Sequence, residues 1–170
     1  MKKLIVFAIA ILGFTAVSFG QVVSTATASA TASGTLVTAV SIVKTAGALN
    51  GGNMNFGSIV AGTAGTVVLT TADARSSATL ALVAIGTVSA AHFTIGGTIG
   101  QTYSVTVPTS VTVSNGGTNM TIDNFTQSSS GTLAAATETF GVGATLNVVG
   151  TEAAGLYTTS TPFNVRVDYN

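Results

Sequence analysis

Cysteine and tryptophan are absent from the 170-residue chain, proline occurs twice and histidine once. Without cysteine there is no disulfide framework and no thiolate to act as nucleophile or metal ligand. Stability has to come from core burial, which a domain of this size supplies without staples. A single histidine, His92, does not make the three- or four-ligand set that a zinc-type site requires. It precedes Phe93 in AAHFTI and reads as a strand-end or surface residue.

Charge is scarce as well. Lys and Arg total five, as do Asp and Glu, whereas about a quarter of an ordinary chain is charged. So little positive charge argues against nucleic acid and against anionic membrane surfaces as partners. It also leaves little repulsion to keep copies apart, which favours self-association. Asp73, Asp123, Glu138 and Glu152 are spread over what read as separate turns, and none has the acidic density of a calcium loop. Asp73 and Arg75 in TADARSS are placed to form a local ion pair. The glycines of VAGTAGT and GGTIGQT lack the strand-to-helix context and the lysine of a phosphate loop, and read as turns. Asn124-Phe125-Thr126 matches a glycosylation sequon by composition alone. The expectation is a protein that is not an enzyme and holds no cofactor and no metal, since a catalytic claim needs a site.

The one apolar run of note is at the start. MKKLIVFAIAILGFTAVSFG opens with Lys2 and Lys3, continues with an apolar stretch from Leu4 to about Phe14 and ends on Ser18-Phe19-Gly20. This is the pattern of a secretory signal peptide over residues 1–20, cut after Gly20 and too short to span a membrane. The chain left behind begins at Gln21 and carries three basic residues against five acidic ones, a net charge of −2. An exported protein of the cell surface or the extracellular space is expected, with no membrane span in the mature chain.

Beyond residue 20 no helical period is evident. Short stretches of Val, Ile, Thr, Phe and Tyr are cut by Gly and Asn at sandwich-like intervals. Tyr103, Val105 and Val107 alternate up to Pro108, and Val111 and Val113 follow it. SNGGT then supplies an Asn-Gly hairpin signal before Met120 and Ile122. Residues 102–123 are therefore expected to form a meander of at least three strands. Ala78–Ala90 is nearly all apolar and reads as a strand buried on both faces, and Thr137–Val149 alternates through Phe140, Val142, Ala144, Leu146 and Val148. At the end, Phe163, Val165, Val167 and Tyr169 share one face while Asn164, Arg166, Asp168 and Asn170 share the other, so the C-terminus is built into a sheet. The fold class is all-β, an immunoglobulin-like antiparallel two-sheet sandwich over residues 35–170.

Residues 22–42 keep one phase of alternation. The second half, 35–43, carries the bulk and reads as a first strand. Residues 21–34 read as an extended N-terminal arm whose apolar face is Val22, Ala26, Ala28, Ala30 and Ala32. Four buried Ala methyls would contribute about 3 kcal/mol, so an arm closing its own sheet and an arm laid on a neighbour both remain open.

Three stretches, MNFGSIVAGTAGTVVL (Met54–Leu69), FTIGGTIGQTYSVTVP (Phe93–Pro108) and the run from Val142 to Asn170, together resemble the exported bacterial domains known as domain of unknown function 4402. They share an Asn-Phe-Gly turn, a Gly-x-x-Tyr lead into a strand and an Ala-Gly-x-Tyr turn before the last strand. That ending is also similar, more distantly, to spore coat protein U-like domains, the subunits of archaic chaperone–usher pili. The resemblance implies a sandwich lacking one strand, a groove flanked by the terminal strand and residues 21–33 as a donated arm. It also implies a periplasmic chaperone and usher, or other surface proteins, as partners. The functional expectation is a secreted structural or adhesive protein of the bacterial surface, a fimbrial or extracellular-layer subunit. The alternative is a monomeric secreted binding module for glycan or another surface ligand. An ice-binding array around Thr25, Thr27 and Thr31 would need repetition over several strands, which the sequence does not have.

Overall fold

β-branched and aromatic residues at alternate positions favour pleated, half-buried strands, and the chain uses them throughout. The computed structural model describes residues 25–170. The expected leader and Val22 lie outside these. The strands are β1 (Ser41–Lys44), β2 (Ser58–Ile59), β3 (Gly65–Leu69), β4 (Arg75–Ser76), β5 (Leu82–Val83), β6 (Ala91–Gly96), β7 (Tyr103–Thr106), β8 (Ser110–Asn115), β9 (Thr118–Gln127), β10 (Thr137–Val148) and β11 (Arg166–Tyr169). Every pairing between them is antiparallel. One 3-10 segment, Leu49–Gly52, interrupts the pattern. The protein is all-β, with residues 36–170 forming one unit and residues 25–35 falling outside it.

β10 organises the sheet. Its first half, Thr137–Val142, pairs with β6, and its second half, Ala144–Val148, pairs with β3. β9 takes the other edge, with a bulge between Gly143 and Thr145. A side chain on Gly141 or Gly143 would collide with the carbonyls of Thr71 or Leu69. Glycine there lets the end of β3 lie against the strand as it passes from one partner to the next.

Two apolar clusters form the core. One joins Phe56, Val67, Leu69, Val113, Ile122 and Leu146. The other joins Ile95, Tyr103, Leu133, Phe140, Val142 and Val167, and Met54 and Phe125 pack against both. Opposite the large sheet stand two separate ribbons, β11–β7 and β2–β5.

Several expectations are corrected. The first strand is Ser41–Lys44 and not 35–43, because its partner β6 ends at Gly96, opposite Ser41. Beyond that point Gly97 bonds to Ala136 and Leu36 is exposed. Ala78–Ala90 is not one buried strand. The Ser77 hydroxyl accepts the Leu80 N–H at 3.0 Å, a local bond that competes with a ladder, and pairing is confined to Leu82–Val83 and a single bridge from Ser89 to Asn55. Leu80 is buried while Ile85 is 68% exposed.

The three strands of 102–123 exist but do not form a meander. β8 pairs with β9, whereas β7 pairs with the distant β11. The hairpin also turns one residue later than expected. Asn115 pairs with Thr118, leaving Gly116 (φ 56°) and Gly117 (φ 98°) as the central residues. Two positive φ angles in a row are the requirement of a type I′ turn.

Candidate strand-docking edge and cleft

The terminal face predicted from alternation is assembled. Phe163, Val165, Val167 and Tyr169 all belong to or pack on one apolar cluster, with Val167 buried. Only Arg166–Tyr169 of this run is paired, in register Arg166↔Thr106 through Tyr169↔Tyr103. The Asn170 N–H donates to the Thr102 carbonyl at 3.1 Å. In an antiparallel ladder the bonding groups alternate between edges, so residues 166, 168 and 170 face β7. The C=O of Val165 and the N–H and C=O groups of Val167 and Tyr169 face the other way. There β11 has no paired strand among the described residues.

Beside this terminal segment opens a cleft of about 990 Å³. Phe163 marks one wall and Phe56–Ala61, which includes β2, the other. The floor is lined by Val113, Ile122 and Leu146, buried residues of the core, and by half-buried Val148, all on β8, β9 and β10. The cleft thus reaches in to the apolar face of the large sheet, with residues of the 152–163 segment closing it over. Lys44 stands at the rim, its ammonium donating to the Asn53 side-chain oxygen at 2.8 Å.

The family-like motifs have local causes. In Asn55-Phe56-Gly57, the Asn55 carboxamide oxygen accepts the Gly57 N–H at 2.8 Å and Gly57 has φ 69°, which turns the buried Phe56 into the core. In Gly100–Tyr103, Gly100 (φ 83°) donates to the Leu133 carbonyl at 2.8 Å and sets Tyr103 at the start of β7. In Ala154–Tyr157, the Tyr157 hydroxyl donates back to the Ala153 carbonyl at 2.9 Å.

Asp73, Arg75 and Glu152 each bind backbone groups. The expected Asp73–Arg75 pair does not form. Asp73, at φ 61°, accepts His92 Nε2 at 2.8 Å and the Ala90 N–H at 2.8 Å. Burial pushes its carboxyl up, but these hydrogen bonds and the His92 charge outweigh it and hold the group below its ordinary value. Arg75 turns to three carbonyls, of Phe56, Ser58 (2.9 Å) and Val83 (2.6 Å), and so clasps β2 to β5. Asp123 and Glu138 lie on β9 and β10 and not in turns. Glu152 is 9% exposed and accepts the Val149 and Gly150 N–H groups, each at 2.6 Å. His92 is the second residue of β6. Among the described residues no group of three His, Cys, Asp or Glu is placed to hold a metal.

Of the arm residues, Ala26, Ala28, Ala30 and Ala32 are exposed and lie in no strand. The cleft went unread in the sequence. Its floor residues are ordinary strand residues of the core, and only the tertiary arrangement brings them to one cleft.

An antiparallel all-β domain with a free terminal edge beside an apolar cleft is the class of protein these features define. The family described as domain of unknown function DUF4402 matches residues 40–169, and the chain belongs to it. No curated protein and no solved structure matches the chain. No helix among the described residues is long and apolar enough to cross a membrane.

Proposed function

We propose that the protein is a non-enzymatic structural or adhesive subunit of the bacterial surface that associates with its own kind through β-strand contacts at β11. The observation that carries this reading is the unpaired outer edge of β11, together with the apolar cleft bordered by Phe163, three residues before that strand. An added strand would satisfy the outward groups of Val165, Val167 and Tyr169 while its side chains enter the cleft, the mode by which extended segments join exposed sheet edges. A free edge is a hazard for a protein meant to remain alone, and this chain has little charge with which to guard it. The exposed arm is the segment of a second copy suited to the task, and the basic-apolar start at residues 1–20 supports export. A chaperone and usher are partners of the same reading, since an open edge needs protection before assembly.

Light scattering after size-exclusion chromatography tests it, comparing residues 21–170 with a version starting at Thr35. Assembly of the first and a folded monomer for the second is the expected result. Monomers in both would overturn the reading.

The cleft favours one second reading, a binding module for glycan or another surface ligand. Its walls bring Phe56, Phe93, Tyr157 and Phe163 near the side chains of Asn50 and Asn53, an apolar site with a few polar groups. A glycan array showing no binder would dispose of it.

A further inference from the structure

Residues 149–165, between β10 and β11, contain no strand, and connections of that length within a compact domain usually have a task of their own. This segment walls the cleft through Glu152–Thr159 and Pro162. It touches β8 as a strand would, at one residue. The Ser114 N–H donates to the Thr158 carbonyl at 2.9 Å and the Thr158 N–H returns to the Ser114 carbonyl at 3.1 Å.

Its other attachments are few. Tyr157 packs on the core from one side, and Gly155 lies against the Asn115 side chain. The hydrogen bonds of Glu152 and of the Tyr157 hydroxyl are local to the segment. Most of its side chains, Leu156 at 81% among them, are exposed. The ends are firm. Gly150 (φ 93°) is pressed against Ala64, and Phe163 packs on Phe125 with ring centroids 5.5 Å apart.

We infer that residues 151–162 are a strap that closes one side of the cleft in the isolated protein and must lift from β8 before a strand of a second copy is admitted. The inference rests on the assembly reading above and adds regulation of the same site. The strap caps the apolar floor by a single backbone bridge between two anchored ends, so it opens without unfolding the sheets. Segments with few buried contacts belong to the low-stability end of a structure. In the monomer the strap limits access to the apolar floor, and once it has lifted, the side chains of the strand added at β11 take that floor.

Two measurements on the purified chain test this. Hydrogen exchange on the monomer reads opening independently of assembly. The amides of Ser114 and Thr158 should exchange at least about 100-fold faster than those of Met120 and Ile122 in β9, as local openings do. Equal protection would overturn the inference. The second is the double substitution Ser114→Cys and Thr158→Cys. The chain has no other cysteine, and the spacing of a hydrogen-bonded antiparallel pair, about 5.5 Å between Cα atoms, suits a disulfide. The oxidised form should assemble at least tenfold more slowly, with recovery on reduction. Equal assembly in both forms overturns the gate and leaves the assembly reading intact. Opening of the strap with no assembly in any form, wild type included, sinks the assembly reading and the gate with it.

Discussion

The hydroxyl of Tyr169, the penultimate residue, donates to the carbonyl of Thr38 at 2.9 Å across 131 positions of sequence. The same oxygen accepts the Thr98 N–H at 2.8 Å. One phenol thus ties the last strand to the segment leading into β1 and to the turn after β6. Gly97 leaves room for it, since a Cβ there would meet the phenol. This is why a terminus that would otherwise fray is held in place.

Tyr169→Phe removes both bonds and leaves the Thr98 N–H without its partner. A loss of about 1–3 kcal/mol is expected, read as a lower urea midpoint with unchanged slope. An unaltered midpoint would show that the phenol is dispensable.

Acid should destabilise the protein through three carboxylates acting in one direction. For Asp73, Glu138 and Glu152 burial raises the pKa, but hydrogen bonds to the charged form outweigh it and leave each lowered in the folded chain. The Asp73 bonds come from His92 and Ala90, those of Glu138 from Ser130 and those of Glu152 from Val149, Gly150 and neighbouring backbone. A carboxylate with a depressed folded pKa contributes its full stability above the unfolded value and loses it as pH falls through the folded one. Stability should therefore be level near neutrality and decline once pH drops below the ordinary 3.8 to 4.5. Asp73→Asn keeps an acceptor for the Ala90 N–H and tolerates the positive φ. It should flatten the decline in urea midpoints measured across pH.

Arg75→Ala leaves the carbonyls of Phe56, Ser58 and Val83 without their shared donor and should cost about 2–4 kcal/mol. Lys should not restore the loss, because an ammonium lacks the planar fork that reaches three acceptors. Thermal unfolding of the two variants decides this, and full rescue by Lys would refute the clasp.

Val165→Pro removes the N–H immediately before β11, which the ladder to β7 does not use, and leaves the bonds of residues 166, 168 and 170 untouched. The monomer should lose about 1 kcal/mol of apolar contact at this half-buried position. Assembly in light scattering should fall sharply. Retained assembly would place the contact elsewhere.

Period-2 alternation made Arg166–Tyr169 and Phe140–Val148 legible as strands, whereas Phe163–Val165, in the same alternation, stays outside the ladder. It misled at residues 35–43, where alternation continues but β6 offers no further partner. Apolar content misled at Ala78–Ala90, which the Ser77 hydroxyl bends. Asp73 and Arg75 looked like a pair because they are neighbours in sequence. In the fold each finds partners that sequence distance hides, His92 for one and the β2 and β5 carbonyls for the other.

By itself the sequence determined the all-β class, the apolar faces and the family, because these depend on residue type and local spacing. The tertiary structure alone decided that β7 joins β11, that the second layer is split into two ribbons and that a strap walls the gap. Ladder bonds use backbone groups that residues carry alike. The packing that selects among possible partners joins side chains far apart in sequence, so the choice of neighbour, and with it the open edge, is not read from local spacing.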